Sequence, residues 1–401
     1  MKRIYLDYAA STPVDPTVLR AIAPYFSERF GNPGSLHAFG QEAIAAVDRS
    51  RETIARALGA DFRQIVFIAS ATEANNLVLR GVVRRFQMAH DLSGARARRA
   101  APHLIVSAIE HESVLEAARD LARENVRVTY VPVGAHGIAD LKKIKESLTP
   151  ETALVSVMYA NNEIGTMQPI TEIGKIIEDF RKQVRSKEST ADNRFPAFHT
   201  DAAQAFQFLD CDANALGVDF MTISSHKMYG PKGAGALFVR DADMLLPIVA
   251  GGGQEFGLRS GTENVPAIVG FAKAVELVTA RRESEAKRIA ALRDRLWSGL
   301  KDIFPEAETN GSENNGERLP NILNVYFPGH AAQDLLTKFD LRGLSASSGS
   351  ACRSRAMESS YVVQALGHSK ERAKESIRFS LGRPTTEKEV AEALKIVKGA
   401  L

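Results

Sequence analysis

Residues 196–240 read "PAFHTDAAQAFQFLDCDANALGVDFMTISSHKMYGPKGAGALFVR". Three short β-rich apolar runs stand out, at 196–202, 219–225 and 235–240, and short apolar runs set off by turn-forming residues predict strands. The first two end on reactive side chains: Asp201 with Gln204 just beyond it, then Ser224, His226 and Lys227. Ligands of open α/β sheets bind outside the carboxyl ends of the strands.

Working outward, strands are expected at 103–108, 126–133 and 152–160, with helical periodicity at 112–124 and 171–185. The alternation predicts an α/β large domain over residues 15–262, built on a mainly parallel sheet. A long helical pattern runs from Val265 to about Ile303 and bridges to a second unit. That unit has strands near 322–327 and 376–382 and helices at 331–339, 359–366 and 386–399, which predicts a small α+β domain formed by 1–14 and 263–401. A chain of 401 residues fits one large and one smaller domain. Two polar or basic stretches without a period, 87–102 and 184–195, are expected to be exposed loops.

Composition excludes several classes. With 51 basic against 48 acidic residues, net +3, there is no strong pull towards nucleic acid or a membrane surface, and no aromatic residues interleave the basic run "ARARRA". No apolar run approaches the length of a membrane span. Asp7 stands where a signal peptide would need its apolar run, and two cysteines make no disulfide framework, so the expected location is cytoplasmic. Neither G-x-G-x-x-G after a first strand nor a Walker motif occurs, and Lys232 of "GPKGAGA" is misplaced for a phosphate loop. No cysteine or histidine pair has metal-ligand spacing.

A lysine just after one strand and a carboxylate ending another is the pair that pyridoxal 5′-phosphate needs: the amine forms a Schiff base and the aspartate holds the pyridine nitrogen protonated. Alone, Lys227 reads better as a surface lysine and Asp201 as a turn residue; together, at successive strand ends with His226 between them, they suggest the cofactor. "ASATEANN" (69–76) follows an expected strand and opens a helix, so Ala71 and Thr72 could offer amides and a hydroxyl to a phosphate. Thr72 with Glu73 would equally start a helix without any ligand. Ser224 and His226 could add phosphate donors, and His111, after the 103–108 strand, could stack on the ring.

The ordered series "YLDYAASTPVDP", "FGNPGSLHAFG", "ATEANNL", "EHESVL", "NNEIGT", "HTDAAQAF", "SSHKMYGPKG", "GGGQEFGLRSGTENV", "LPNILNV", "SSGSACRS" and "SIRFSLGR" spans nearly the whole chain. It resembles the class V aminotransferase-like enzymes, and within them the NifS/IscS-type cysteine desulfurases whose cysteine lies in a long Ser/Gly loop. The resemblance implies fold type I, with a seven-stranded-type sheet, and a homodimer. It implies that Lys227 holds the cofactor, Asp201 the pyridine nitrogen and Gln204 the phenolic oxygen. His111 would stack and assist proton transfer. Ala71, Thr72, Ser224 and His226 would bind phosphate, with Thr262 reaching in from the partner subunit. Asn162 and Arg378 would grip the substrate carboxylate.

The implied reaction takes L-cysteine to L-alanine, with the sulfur held on Cys352 as a persulfide and passed to an iron–sulfur scaffold or sulfur carrier. The segment 343–354 is accordingly expected to be a mobile, exposed arm, and Cys211 to be packed and inert. The absence after Leu401 of the extended tail that some IscS-like members use to dock a scaffold leaves the acceptor open. A selenocysteine or β-elimination lyase could use the same fold without a persulfide-forming thiol. A non-catalytic assembly subunit should have lost Lys227 or Cys352, and both are present.

Overall fold

The computed structural model describes residues 3–92, 101–187, 194–349 and 359–401. The chain opens on strand β1 (Ile4–Tyr5) and helices α1 (Pro16–Ile22) and α2 (Ala38–Ala57). It then alternates through β2 (Ile65–Ile68), α3 (Ala71–Leu92), β3 (His103–Ser107), α4 (Glu112–Arg123), β4 (Arg127–Val131), α5 (Leu141–Ser147) and β5 (Thr152–Ser156). The core closes with α6 (Ile170–Lys187), β6 (Ala197–Asp201), α7 (Ala213–Leu216), β7 (Phe220–Ser224) and β8 (Gly235–Val239). After α8 (Val265–Ile303) come β9 (Glu308–Thr309), β10 (Ile322–Tyr326), α9 (Ala332–Leu341), β11 (Leu344–Ser345), α10 (Tyr361–Ala365), α11 (Lys370–Lys374), β12 (Ser376–Ser380) and α12 (Glu387–Lys398).

Seven strands form one sheet in the order β2-β8-β7-β6-β5-β3-β4, and β8 alone runs against its neighbours. The fold is the expected α/β layer with a mainly parallel sheet. Every residue of β3, β5, β6, β7 and β8 is buried, as strands covered by helices on both faces must be. Two buried histidines are paid for with hydroxyls. His103 bridges Thr152 (2.9 Å) and Thr129 (2.8 Å), and His199 bridges Ser156 (2.9 Å) and Thr222 (3.1 Å). These cross-strand links pin the register of β4-β3-β5 and β5-β6-β7.

The long helix α8 changes partner midway. Gly270 lies against Ile22 of α1, whereas Gly299 lies against Leu394 of α12. Between the two halves, residues 279–288 bury nothing fully, so one helix serves both cores. Beyond it, β12-β10-β9 form an antiparallel sheet, and β1 pairs in parallel with β11.

Two expectations about loops are corrected. Helix α3 continues to Leu92 and α6 to Lys187, so both stretches expected to be exposed loops begin as helix; residues 93–100 and 188–193 lie outside the described residues. The segment expected to be mobile from 343 is structured up to Gly349. Leu344 and Ser345 pair with Ile4 and Tyr5, Ser347 pairs with Arg378, and Leu344, Ser347 and Gly349 are buried. Serine and glycine there serve strand pairing and close packing. Residues 350–358, including Cys352, lie outside the described residues.

Candidate active site

From β3 the chain crosses to β4 on one side of the sheet, whereas β5, β6 and β7 advance to the other. The carboxyl ends of β3 and β5 therefore flank the switch point where the connections diverge, the place at which such sheets bind ligands. Ala108–His111 follow β3, Val157–Glu163 follow β5, Asp201 ends β6 with Gln204 just beyond it, and Ser224 ends β7 with His226 and Lys227 just beyond it.

Asp201 is buried and takes hydrogen bonds from Ala203 N to Oδ1 (2.9 Å) and from Asn75 Nδ2 to Oδ2 (2.7 Å). Asn75 Nδ2 also donates to Ser113 Oγ (2.8 Å), which sits 2.9 Å from His111 Nδ1. A continuous polar chain thus runs from Asp201 to His111. Burial and the nearby Lys227 cation outweigh Asp201 and push the imidazole below its ordinary 6.5. Its Nδ1 accepts the Ser113 N–H (3.1 Å), which assigns the proton of the neutral ring to Nε2.

Lys227 Nζ donates to the carbonyls of Ala9 (2.6 Å) and Ala10 (2.9 Å), and Gln204 Nε2 donates to the same Ala9 carbonyl (2.8 Å). Beside them, burial pushes His226 down to about 4, with Lys227 and Lys232 adding to the effect; its Nδ1 faces Ser11 Oγ at 3.3 Å. Ser224 Oγ is buried and finds no hydrogen-bond partner among the described residues. Ala71 opens α3, and Thr72 shares an open cleft of about 490 Å³ with His111, Ser113 and Asn76.

Arg378, on β12, is 1% exposed. Its Nη1 donates to Asn162 O (2.8 Å) and its Nη2 to Asp7 Oδ1 (2.6 Å). The buried Arg378 Nε and Asn162 Oδ1 have no hydrogen-bond partner among the described residues. A buried guanidinium with a spare N–H offers a donor to a carboxylate.

Thr262 stands apart from this constellation within the chain. It is exposed and lines a separate recess of about 160 Å³ with Phe67, Glu255 and Asn264. Its loop is held hard. Arg51 makes a bidentate, buried pair with Glu255 (2.7 and 2.8 Å), Phe67 N donates to Glu255 Oε2 (2.8 Å), and Glu255 and Phe256 take left-handed φ of 50° and 58°. Arg51→Ala strands the Glu255 charge, and the urea midpoint of the protein should show a loss of about 3–5 kcal/mol. A loss under about 1 kcal/mol would contradict a buried pair here.

Sequence reading missed Asn75, Ser113, Asp7 and the carbonyls of Ala9 and Ala10. Asn75 lay inside a quoted motif, but its role depends on Asp201, 126 residues away, which no local pattern shows. Glu110 was also passed over. Its carboxyl is buried and accepts from Met158 N (2.6 Å) and Ser107 Oγ (2.9 Å). Burial lifts its pKa from 4.5 to about 8. The folded protein therefore keeps a proton that the unfolded chain releases above 4.5, and this contribution to stability is lost as pH rises from 4.5 through 8. Glu110→Gln should flatten the fall in melting temperature over that window; an unchanged slope would show the carboxyl already ionised.

The chain belongs to the class-V aminotransferase family, whose model matches residues 4–393. Cysteine desulfurases are among its relatives: it is 40% identical over 397 residues to cysteine desulfurase IscS of Rickettsia rickettsii (strain Iowa), an alignment covering 98% of this chain and 90% of the relative. Among solved structures, a NifS-like protein aligns with TM-score 0.86 and 34% identity, over 99% of this chain and 98% of that one. SspA in complex with cysteine aligns with TM-score 0.77 and 35% identity, over 94% and 98%.

Proposed function

We infer that this chain is a cysteine desulfurase dependent on pyridoxal 5′-phosphate, which converts L-cysteine to L-alanine and leaves the sulfur on Cys352 as a persulfide. The observation that carries the reading is the convergence, at the ends of β3, β5, β6 and β7, of an amine, a buried carboxylate and a neutral imidazole, with a buried guanidinium on β12 joined to Asn162. The relatives' shared name supports it.

The residues present fit the cofactor. Lys227 would hold its aldehyde carbon, Asp201 its pyridine nitrogen and Gln204 its phenolic oxygen, with His111 against the ring. The buried, unpartnered Ser224 Oγ is a hydroxyl in need of an acceptor, as a phosphate would supply. His226, Ala71 and Thr72 complete the cradle, and Thr262, exposed and outside its own chain's site, would serve the second subunit of a homodimer. When bound, the cofactor acts as an electron sink for the bond-breaking at the substrate's α-carbon.

Arg378 and Asn162 orient the amino acid by its carboxylate. Lys227 Nζ, once freed, takes the α-proton, and His111, neutral with its proton on Nε2, can hand on or receive a proton near the ring. Cys352 Sγ then bonds to the substrate sulfur as the carbon–sulfur bond breaks. The bond's electron pair stays on carbon, which takes up the thiol hydrogen equivalent and leaves as alanine, so RSH and the enzyme thiol give RH and the enzyme persulfide. The persulfide passes to a sulfur-accepting protein, an iron–sulfur scaffold or sulfur carrier, and the expected setting is cytoplasmic. Among the described residues no helix is long and apolar enough to cross a membrane.

The deciding experiment incubates the purified yellow protein with L-cysteine and identifies alanine and a persulfide on Cys352 by mass. Protein that makes no alanine even with added pyridoxal phosphate would overturn the reading.

A further inference from the structure

Asn75 lies on α3, fully buried, and its amide nitrogen serves partners on two other elements. Nδ2 donates to Asp201 Oδ2 on β6 (2.7 Å) and to Ser113 Oγ on α4 (2.8 Å). A primary amide carries two N–H groups, so both are engaged. Charge sets which way the amide faces: turned over, it would bring Oδ1 against the Asp201 oxygen, acceptor against acceptor. The orientation strands that oxygen, since Asn75 Oδ1 is buried with no hydrogen-bond partner among the described residues. A buried acceptor without a donor is destabilising, so an apolar side chain would serve packing better at this place.

The direction of the remaining hydrogens follows. Ser113 Oγ already accepts from Asn75, so its own hydrogen is free for another acceptor, and His111 Nδ1 lies 2.9 Å away. The Ser113 backbone N–H reaches the same nitrogen (3.1 Å), because His111 caps α4 with its ring. Donors converging on Nδ1 favour the neutral imidazole whose proton is on Nε2. At the other end Asp201 takes one donor on each oxygen, Ala203 N on Oδ1 (2.9 Å) and Asn75 on Oδ2, which fixes the plane of its carboxyl.

We propose that Asn75 is a positioning residue that orients Asp201 and His111 together. One N–H fixes the carboxyl that would face the pyridine nitrogen. The other turns the Ser113 hydroxyl so that it donates to His111 Nδ1 and leaves the ring proton on Nε2. This rests on the desulfurase reading, in which Asp201 holds the cofactor nitrogen and His111 hands on a proton near the ring. The effect of Asn75 passes through these two partners.

The test compares Asn75→Ala, Ser113→Ala and the double variant. The first readout needs no cofactor: NMR of the apoprotein with its histidine ring nitrogens isotope-labelled, the His111 signals being followed against pH. The charged groups acting on that ring are Asp201 of β6, Lys227 beyond β7 and Glu112 of α4, and none of them is changed. Losing a hydrogen bond to the neutral ring lets it protonate more easily. The midpoint should therefore rise by about 0.5–1 unit in each single variant and by no more in the double. The second readout is the dissociation constant of pyridoxal 5′-phosphate, from fluorescence titration. Binding should weaken about tenfold in Asn75→Ala, which loosens Asp201, and stay within about twofold in Ser113→Ala. Asn75→Leu, which fills the space without a donor, repeats both readouts if the alanine variant does not fold. A neutral wild-type ring protonated on Nδ1, a midpoint unmoved in Asn75→Ala, shifts that add in the double variant, or equal loss of cofactor affinity in both single variants would each overturn the proposal. If the wild-type protein makes no alanine from L-cysteine, the desulfurase reading fails, while the apoprotein midpoints still decide the part played by Asn75.

Discussion

Replacing Cys352 with alanine should abolish formation of sulfane sulfur and of alanine from L-cysteine, while exchange of alanine's α-hydrogen continues at the wild-type rate. The two activities separate because they use different groups. In the proposed mechanism Lys227 would move the α-proton, whereas only a thiolate can accept the substrate sulfur and release carbon as alanine. The only other cysteine cannot substitute. Cys211 is fully buried, its thiol is pushed up to about 12 by burial, and its Sγ rests near Leu209 O at 3.7 Å. A lyase acting by elimination would behave differently, since Cys352→Ala would still consume L-cysteine and release sulfide. That outcome, with intact turnover, would remove the persulfide from the mechanism.

Lys227→Ala should have the largest effect on the earlier steps. Loss of a positioned general base costs about 10²–10⁴-fold, and here covalent anchoring of the cofactor is lost as well. Both α-hydrogen exchange and desulfurisation should fall together. Borohydride reduction followed by peptide mass analysis should attach the cofactor to the peptide bearing Lys227 in the wild type and to nothing in the variant. Arginine should not rescue it, because a guanidinium stays protonated and cannot act as base or nucleophile. Labelling of Lys232 in the wild type would overturn the assignment. The carbonyls of Ala9 and Ala10 explain why this amine points into the site, as each accepts one of its N–H groups.

Much of this was legible before any coordinates. The all-buried strands announced themselves by short apolar runs, and the reactive residues at their ends stood in the right order. Helix α8 was readable from Val265 to Ile303 because its period persists through the change of partner. Helix α2 was not read: alanines and Gly40 carry much of its buried face, and Arg51 is buried among them, so polarity masked the period. The Ser/Gly-rich run from 343 was misread because strand pairing at 344–345 depends on β1, far away in sequence. Asp7 and Asn75 share that reason; each is held by a partner more than a hundred residues distant.

The first strand has a consequence for how the molecule comes into being. Residues 4–10 contact Gly343–Ser345 and Arg378–Ser380, with Asp7 and Arg378 separated by 371 positions, and the same segment supplies the carbonyls that orient Lys227. Contacts of such high order must wait until nearly the whole chain has left the ribosome. The seven-stranded sheet has its partners within residues 65–239, whereas the Lys227 amine and the Arg378 guanidinium are both held by residues 7–10 and so are set in place together. A nascent chain would hold a nearly complete scaffold without a working centre, so sulfur could be mobilised only by molecules that have finished folding.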